Sequence, residues 1–120
     1  MLTLPPSVKI YVATERVDMR KSFNGLAGFV RDHLGDQPMS GHLFVFIGKR
    51  RDKMKILWWD RHGWALFYKR LERGTFRLPE AQADDVRIEI AATDLSMILD
   101  GIDIRSTRRR KRWTPPQDSK

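Results

Sequence analysis

The stretch HLFVFIGKRRDKMKILWWDRHGWALFYKRLERGTFRLP, running from His42 to Pro79, holds three of the four tryptophans, four of the six phenylalanines and one of the two tyrosines. Between Lys49 and Arg77 it carries ten Lys or Arg against Asp52, Asp60 and Glu72, a net charge of +7. Its apolar residues come in short alternating runs rather than at helical spacing, which predicts strands at His42–Ile47, Lys53–Asp60 and Trp64–Leu71. Gly48 to Asp52 then forms a basic hairpin tip, and Arg61-His62-Gly63 a tight turn with Gly63 free to take a positive φ. Thr75–Leu78 extends the sheet as a short edge strand stopped by Pro79.

A two-residue turn at His62-Gly63 sets Lys55, Leu57, Trp59, Arg61, Trp64, Leu66, Tyr68 and Arg70 on one side of the meander. Met54, Ile56, Trp58, Asp60, Ala65, Phe67, Lys69 and Leu71 fall on the other. A three-residue turn would regroup the two sets. The second set is the more apolar and suits a core packed on a helix, with Trp58 and Phe67 inside it. The first mixes cations with aromatic rings, a surface able to neutralise phosphates and to stack on unpaired bases. Trp59 and Trp64 fit either core or surface.

The rest of the chain supports this meander. Val8–Ala13 alternates as a strand. Asp18 is a candidate N-cap for a helix to Leu34, with Met19, Phe23, Leu26, Ala27, Val30 and Leu34 in one apolar stripe. Gly25 and Gly28 call for a close approach between that helix and the sheet, and Gly35 ends the helix. Val86–Ala91 is a further strand, and Thr93 caps a short helix carrying Leu95, Ile98, Leu99 and Ile102. Leu78 to Ile104 has one base against seven acids, so positive charge is segregated away from it. The expected fold is α+β: a mainly antiparallel, twisted sheet of about five strands with one main helix on a face and a short C-terminal helix. Residues 1–104 form a single domain, and 105–120 a disordered basic tail.

The 120 residues carry a formal charge of +8 with pI near 10.3, which directs attention to a polyanion partner. The absence of cysteine excludes disulfides, thiolate zinc sites and thiol catalysis. The opening residues lack a signal-peptide pattern, and no run is long enough to span a membrane, so the expected location is the cytoplasm, on the nucleoid. His33, His42 and His62 share no metal-ligand spacing. Ser22 and Ser40 lack a nucleophile context. Asp60 and Glu72 could suggest a nuclease pair, but Gly74 stands where a Glu-x-Lys motif needs lysine. No catalytic role, metal or cofactor is expected. The candidate nucleic-acid contacts are Lys49, Arg50, Arg51, Lys53, Lys55, Trp59, Arg61, Trp64 and Arg70, with Arg108, Arg109, Arg110, Lys111 and Arg112 as a basic arm. Phosphate contacts carry no base identity and do not separate DNA from RNA.

Several stretches resemble the Orf2-like accessory proteins (TnpB) of the IS-sixty-six group of bacterial insertion sequences, which are distinct from the RNA-guided nuclease of the same name. They are Asp18-Met19-Arg20-Lys21, Leu43-Phe44-Val45-Phe46, Lys55-Ile56-Leu57 with Trp59-Asp60, WALFYKRLE from Trp64 to Glu72, and Leu95…Leu99-Asp100-Gly101-Ile102-Asp103. The resemblance covers residues 8 to 104. It departs at Ser22, where glycine is common, and at Lys49-Arg50-Arg51-Asp52. It implies a non-catalytic partner of transposition beside a separate DDE transposase. Partners would be DNA, at the ends of the mobile sequence or at its target, with the transposase and other proteins that the same sequence encodes. The competing reading is a protein-interaction module docking on the transposase without touching DNA.

Overall fold

The computed structural model describes residues 4–101. Along the chain come β1 (Ile10–Ala13), α1 (Phe23–Phe29), which runs on as a π-helical segment (Val30–Leu34), β2 (Leu43–Ile47), β3 (Lys53–Trp59), β4 (Trp64–Arg70), β5 (Arg87–Ile90) and α2 (Ala92–Leu99). The strands form one sheet in the order β4-β3-β2-β1-β5. It is an α+β fold with the expected five strands, but the sheet is mixed. β1 and β2 run parallel, joined through α1, while the other three pairings are antiparallel. A parallel pair needs a crossover, and the long connection from Thr14 to His42 supplies one.

Every residue of β2 is buried, as are Met54 through Leu57 of β3, so the sheet centre is covered on both faces. One layer unites Ile10, Val45, Ile47, Met54 and Ile56 with Leu95, Ile98 and Leu99 of α2. The other unites Phe44, Phe46 and Leu57 with Leu26, Ala27, Val30 and Leu34 of the α1 segment. The main helix therefore packs on the face that carries Lys55 and Leu57. The expectation placed it on the Met54 and Ile56 face, which belongs instead to α2.

Several boundaries also differ. α1 starts at Phe23 rather than beside Asp18, with Ser22 at its N-cap making no side-chain bond. Asp18 instead organises a turn: its Oδ1 accepts the Arg20 N–H at 2.9 Å and its carbonyl accepts the Lys21 N–H at 3.1 Å. A short Asp side chain satisfies the amide two residues on as readily as it caps a helix. Gly25 and Gly28 do not meet the sheet, since a Cβ on either would touch only the Lys21 or Arg31 side chain. Gly35 ends the helix at φ 68, as expected. α2 is capped at Ala91, whose N–H donates to Asp94 Oδ2 at 3.3 Å, rather than at Thr93. Ile102 and residues 108–112 lie outside the described residues.

Thr75–Leu78 adds no strand. The chain between β4 and β5, which are opposite edges of the sheet, crosses the α2-side face as an irregular strap. Phe76 anchors it: the ring is 1% exposed in the core and its N–H donates to the Arg51 carbonyl at 2.7 Å.

Candidate nucleic-acid interface

Trp59 pairs with Trp64, Leu57 with Leu66, Lys55 with Tyr68 and Lys53 with Arg70. The loop between β3 and β4 is thus Asp60 to Gly63, four residues long rather than two. The Asp60 N–H donates to the Gly63 carbonyl at 2.8 Å, and the residue at positive φ is Arg61 (φ 53), not Gly63. The slip from the expected register is two residues, an even number, so both face sets survive it within the strands, while Arg61 leaves them for the loop.

The faces behave differently from the expectation. Lys55 is a correction: it is 6% exposed, and its Nζ donates to the carbonyls of Met19 and Lys21 at 2.7 Å each and lies 4.7 Å from the Tyr68 ring centroid. Burial pushes its pKa down, opposed by Asp18. Its charge closes the turn ahead of α1 and does not face solvent. Conversely Phe67, expected in the core, is 37% exposed, because β4 is an edge strand that α2 does not fully reach. Tyr68, on the other face, is 52% exposed. Trp58 is half-buried against the α2-side core. Trp59 and Trp64 are half-buried and packed edge to face, with centroids 5.1 Å apart at 72°. Trp64 also packs on the α1-side core.

Lys55→Met is expected to lower stability by about 2 kcal/mol, since two carbonyls lose a charged donor. Urea unfolding at constant m-value measures it. Unchanged stability with weakened DNA binding would return Lys55 to the contact surface.

The remaining candidates divide between two ends of the sheet. The seven residues of β3 separate the two hairpin tips by about 20 Å. Lys49, Arg50, Arg51, Lys53 and Arg70 stand at one end; Trp59, Arg61 and Trp64 stand at the other. At the first end, parallel pairing places the C-terminal ends of β1 and β2 together, and the Val17 N–H donates to the Ile47 carbonyl at 2.9 Å. That contact brings Arg16 and Arg20 beside the tip. The strap brings Arg77 through Phe76, and the Leu71 N–H, bonded to the Asp52 carbonyl at 2.7 Å, brings Arg73. Sequence reading missed Arg16 and Arg77 because only the strand order and one buried phenylalanine connect them to the tip.

Charge balance at this end is uneven. Arg20 is held by Asp18 through three side-chain contacts, the shortest 2.7 Å, and Arg20 keeps the Asp18 carboxyl well below the usual carboxylate range. Arg70 meets Glu72 at 3.2 Å. Both pairs are solvent-exposed and contribute little to stability. Among the described residues, Arg16, Lys49, Arg50, Arg51, Lys53, Arg73 and Arg77 take part in no ion pair. Arg51 sits in the left-handed region (φ 63), which costs a non-glycine residue about 1 kcal/mol. Arg61 at the far tip shares that conformation (φ 53), so it does not single out this end.

The other end carries an apolar cavity of about 540 Å³ with Leu4, Pro5, Trp58, Trp59, Arg61 and Phe67 in its wall. Among the described residues, no group of three or more His, Asp or Glu could hold a metal ion, and no helix is long and apolar enough to cross a membrane.

A sequence model of the family described as "IS66 Orf2 like protein" matches residues 8–109. Two Sinorhizobium fredii proteins are similar along most of their lengths. "Uncharacterized protein y4hO" is 39% identical over 119 residues, covering 99% of this chain and 94% of the relative. "Uncharacterized protein y4jC" is 34% identical over 103 residues, covering 86% of each. No solved structure matches significantly. With the family match spanning the sheet, both helices and the basic tip, the chain belongs to the IS66 Orf2-like family of insertion-sequence accessory proteins.

Proposed function

We propose that this accessory protein holds the DNA of the insertion sequence, or of its target, through phosphate contacts at the basic end of its sheet. A separate DDE transposase performs the strand chemistry. The observation that carries this reading is the convergence of cations from four separated segments, the β1–α1 turn, the β2–β3 tip, the end of β4 and the strap, on one end of the fold, where among the described residues only Arg20 and Arg70 are ion-paired. The contact set is Lys49, Arg50, Arg51, Lys53 and Arg70, extended by Arg16, Arg73 and Arg77. Lys55 is not in it. The cluster from Arg108 to Arg112 adds an arm, and the place of action is the bacterial nucleoid.

Gel shifts with end-containing duplex, random duplex and single strand test it. Affinity should fall roughly a thousandfold between about 50 and about 200 mM salt if some six phosphates are neutralised. Absence of binding at low salt overturns the reading, and preference for RNA competitor would change the partner.

A second reading, docking on the transposase without DNA contact, is favoured by the cavity walled by Trp58 and Phe67 beside β4, an edge strand among the described residues. Capture of the transposase by the Phe67→Glu variant after nuclease digestion separates the two. Loss of capture supports docking there, and retention removes that surface.

A further inference from the structure

We propose that Arg16, Arg51 and Arg77 form a receptor for a phosphate monoester dianion, the group that terminates a DNA strand. The nucleic-acid source of that group rests on the function proposed above; the pocket itself does not.

The three arginines line a cavity of about 270 Å³ at the root of the hairpin tip, floored by Val12, Phe76 and Ile88. Their backbones come from three different segments, and two of those are bonded directly, since the Phe76 N–H donates to the Arg51 carbonyl. Arg16 is half-buried, and one of its guanidinium nitrogens donates to the Thr14 carbonyl at 3.4 Å. That bond leaves other donors of the fork unused. Burial first, and then the charge of Arg51, push the Arg16 pKa below its ordinary value. Arginine nevertheless stays charged, so two like charges, one half-buried and one exposed, share one wall. An anion between them relieves that repulsion.

The chemistry of the wall selects the anion. All three cations are arginine, although lysines are abundant nearby at Lys49 and Lys53. Planar guanidinium forks match phosphate oxygens two at a time, whereas ammonium groups act as point charges. Glu80 is also in the wall and is already engaged. Three guanidiniums and one carboxylate, itself engaged by another group, leave a sum of at least +2. A phosphate monoester near neutral pH carries a charge approaching −2 and three terminal oxygens, which meets that sum. An internal phosphodiester, with one charge and two free oxygens, meets half of it. The outer cations Lys49, Arg50 and Lys53 suit diesters along a duplex surface; the recessed pocket suits an end.

The test compares duplexes with 5′-phosphoryl and 5′-hydroxyl ends against the full chain, alongside titration with inorganic phosphate read by NMR at the arginine Nε–H resonances. The phosphorylated duplex is expected to bind about tenfold tighter, the scale of one charge-assisted fork. Arg16→Gln and Arg77→Gln should each abolish that preference and the phosphate-induced shifts. Circular dichroism checks folding, and the exposed Arg77 provides the variant that leaves the core untouched. If both duplexes bind equally and phosphate moves no arginine resonance, the pocket is wrong while DNA binding stands. If neither duplex binds but phosphate shifts these resonances, the pocket stands and the DNA reading falls. If both duplexes bind equally while phosphate shifts them, the ligand is a free phosphate compound rather than a strand end. A preference that survives both substitutions places the end-binding site elsewhere.

Discussion

Replacing Phe76 with alanine is expected to cost about 3–5 kcal/mol of stability, the range for truncating a fully buried phenylalanine. The ring is 1% exposed and belongs to the layer formed by the sheet and α2. Its segment is otherwise tied mainly near its two ends, where the Leu71 N–H donates to the Asp52 carbonyl and Thr14 donates to the Asp85 and Val86 carbonyls. The strap between Arg70 and Arg87 has no regular structure, and its other apolar residues packed on this layer, Leu71 and Leu78, are only partly buried. Phe76→Leu, which keeps most of the volume, should cost less than about 1.5 kcal/mol. Denaturant midpoints for the two variants measure the difference. A loss below about 1 kcal/mol for alanine would mean that the strap is not anchored by this ring. The effect reaches the surface, because Arg77 follows the anchor directly. Hydrogen exchange in the alanine variant should therefore show the amides near Arg77 losing protection before those of β2 and β3.

Phe76 also shows where the sequence ran out. One phenylalanine between threonine and arginine has no period, so nothing local marks it as core. The expectation of a β strand at Thr75–Leu78 answered the same pattern with the wrong partner: its amide does bond across to Arg51, but as one contact rather than a ladder. The faces of β3 and β4 were legible because alternation survives an even register slip. Which helix covers which face was not, because the apolar residues of β2, Leu43 through Ile47, alternate between two equally apolar sides. That unbroken run was itself the signal for a sheet covered on both faces. Lys55 was misplaced for a related reason. Alternation put it beside Leu57 correctly, but a lysine whose ammonium bonds carbonyls 34 and 36 residues earlier leaves no local trace. The basic tip was legible as a charge run; its enlargement by Arg16 and Arg77 depended on the parallel β1–β2 pairing, which no spacing reveals.

Charge reversal at the tip, Lys49→Glu with Arg50→Glu and Arg51→Glu, is expected to weaken duplex binding by at least about a hundredfold at low salt. Three cations that take part in no ion pair become three anions, so lost attraction and new repulsion act together. The dependence of log K on log salt should flatten by about 0.9 for each phosphate contact removed, close to 2.7 for all three. Loss should be similar for end-containing and random duplexes, since these residues read backbone rather than bases. Folding should survive: all three side chains are exposed, and the backbone bonds that shape the tip, Gly48 N–H to the Lys53 carbonyl and Arg51 N–H to the Gly48 carbonyl, do not involve them. Arg61→Glu is the informative comparison, because it makes one reversal at the far tip. Because β3 holds that site about 20 Å away, the change there should be under about threefold if DNA rides the basic end. A loss from Arg61→Glu as large as that from the triple reversal would instead lay the DNA along the whole length of β3 and β4. It would also bring Trp59 and Trp64 back into the contact surface. An unchanged affinity in the triple variant would remove the tip from it altogether.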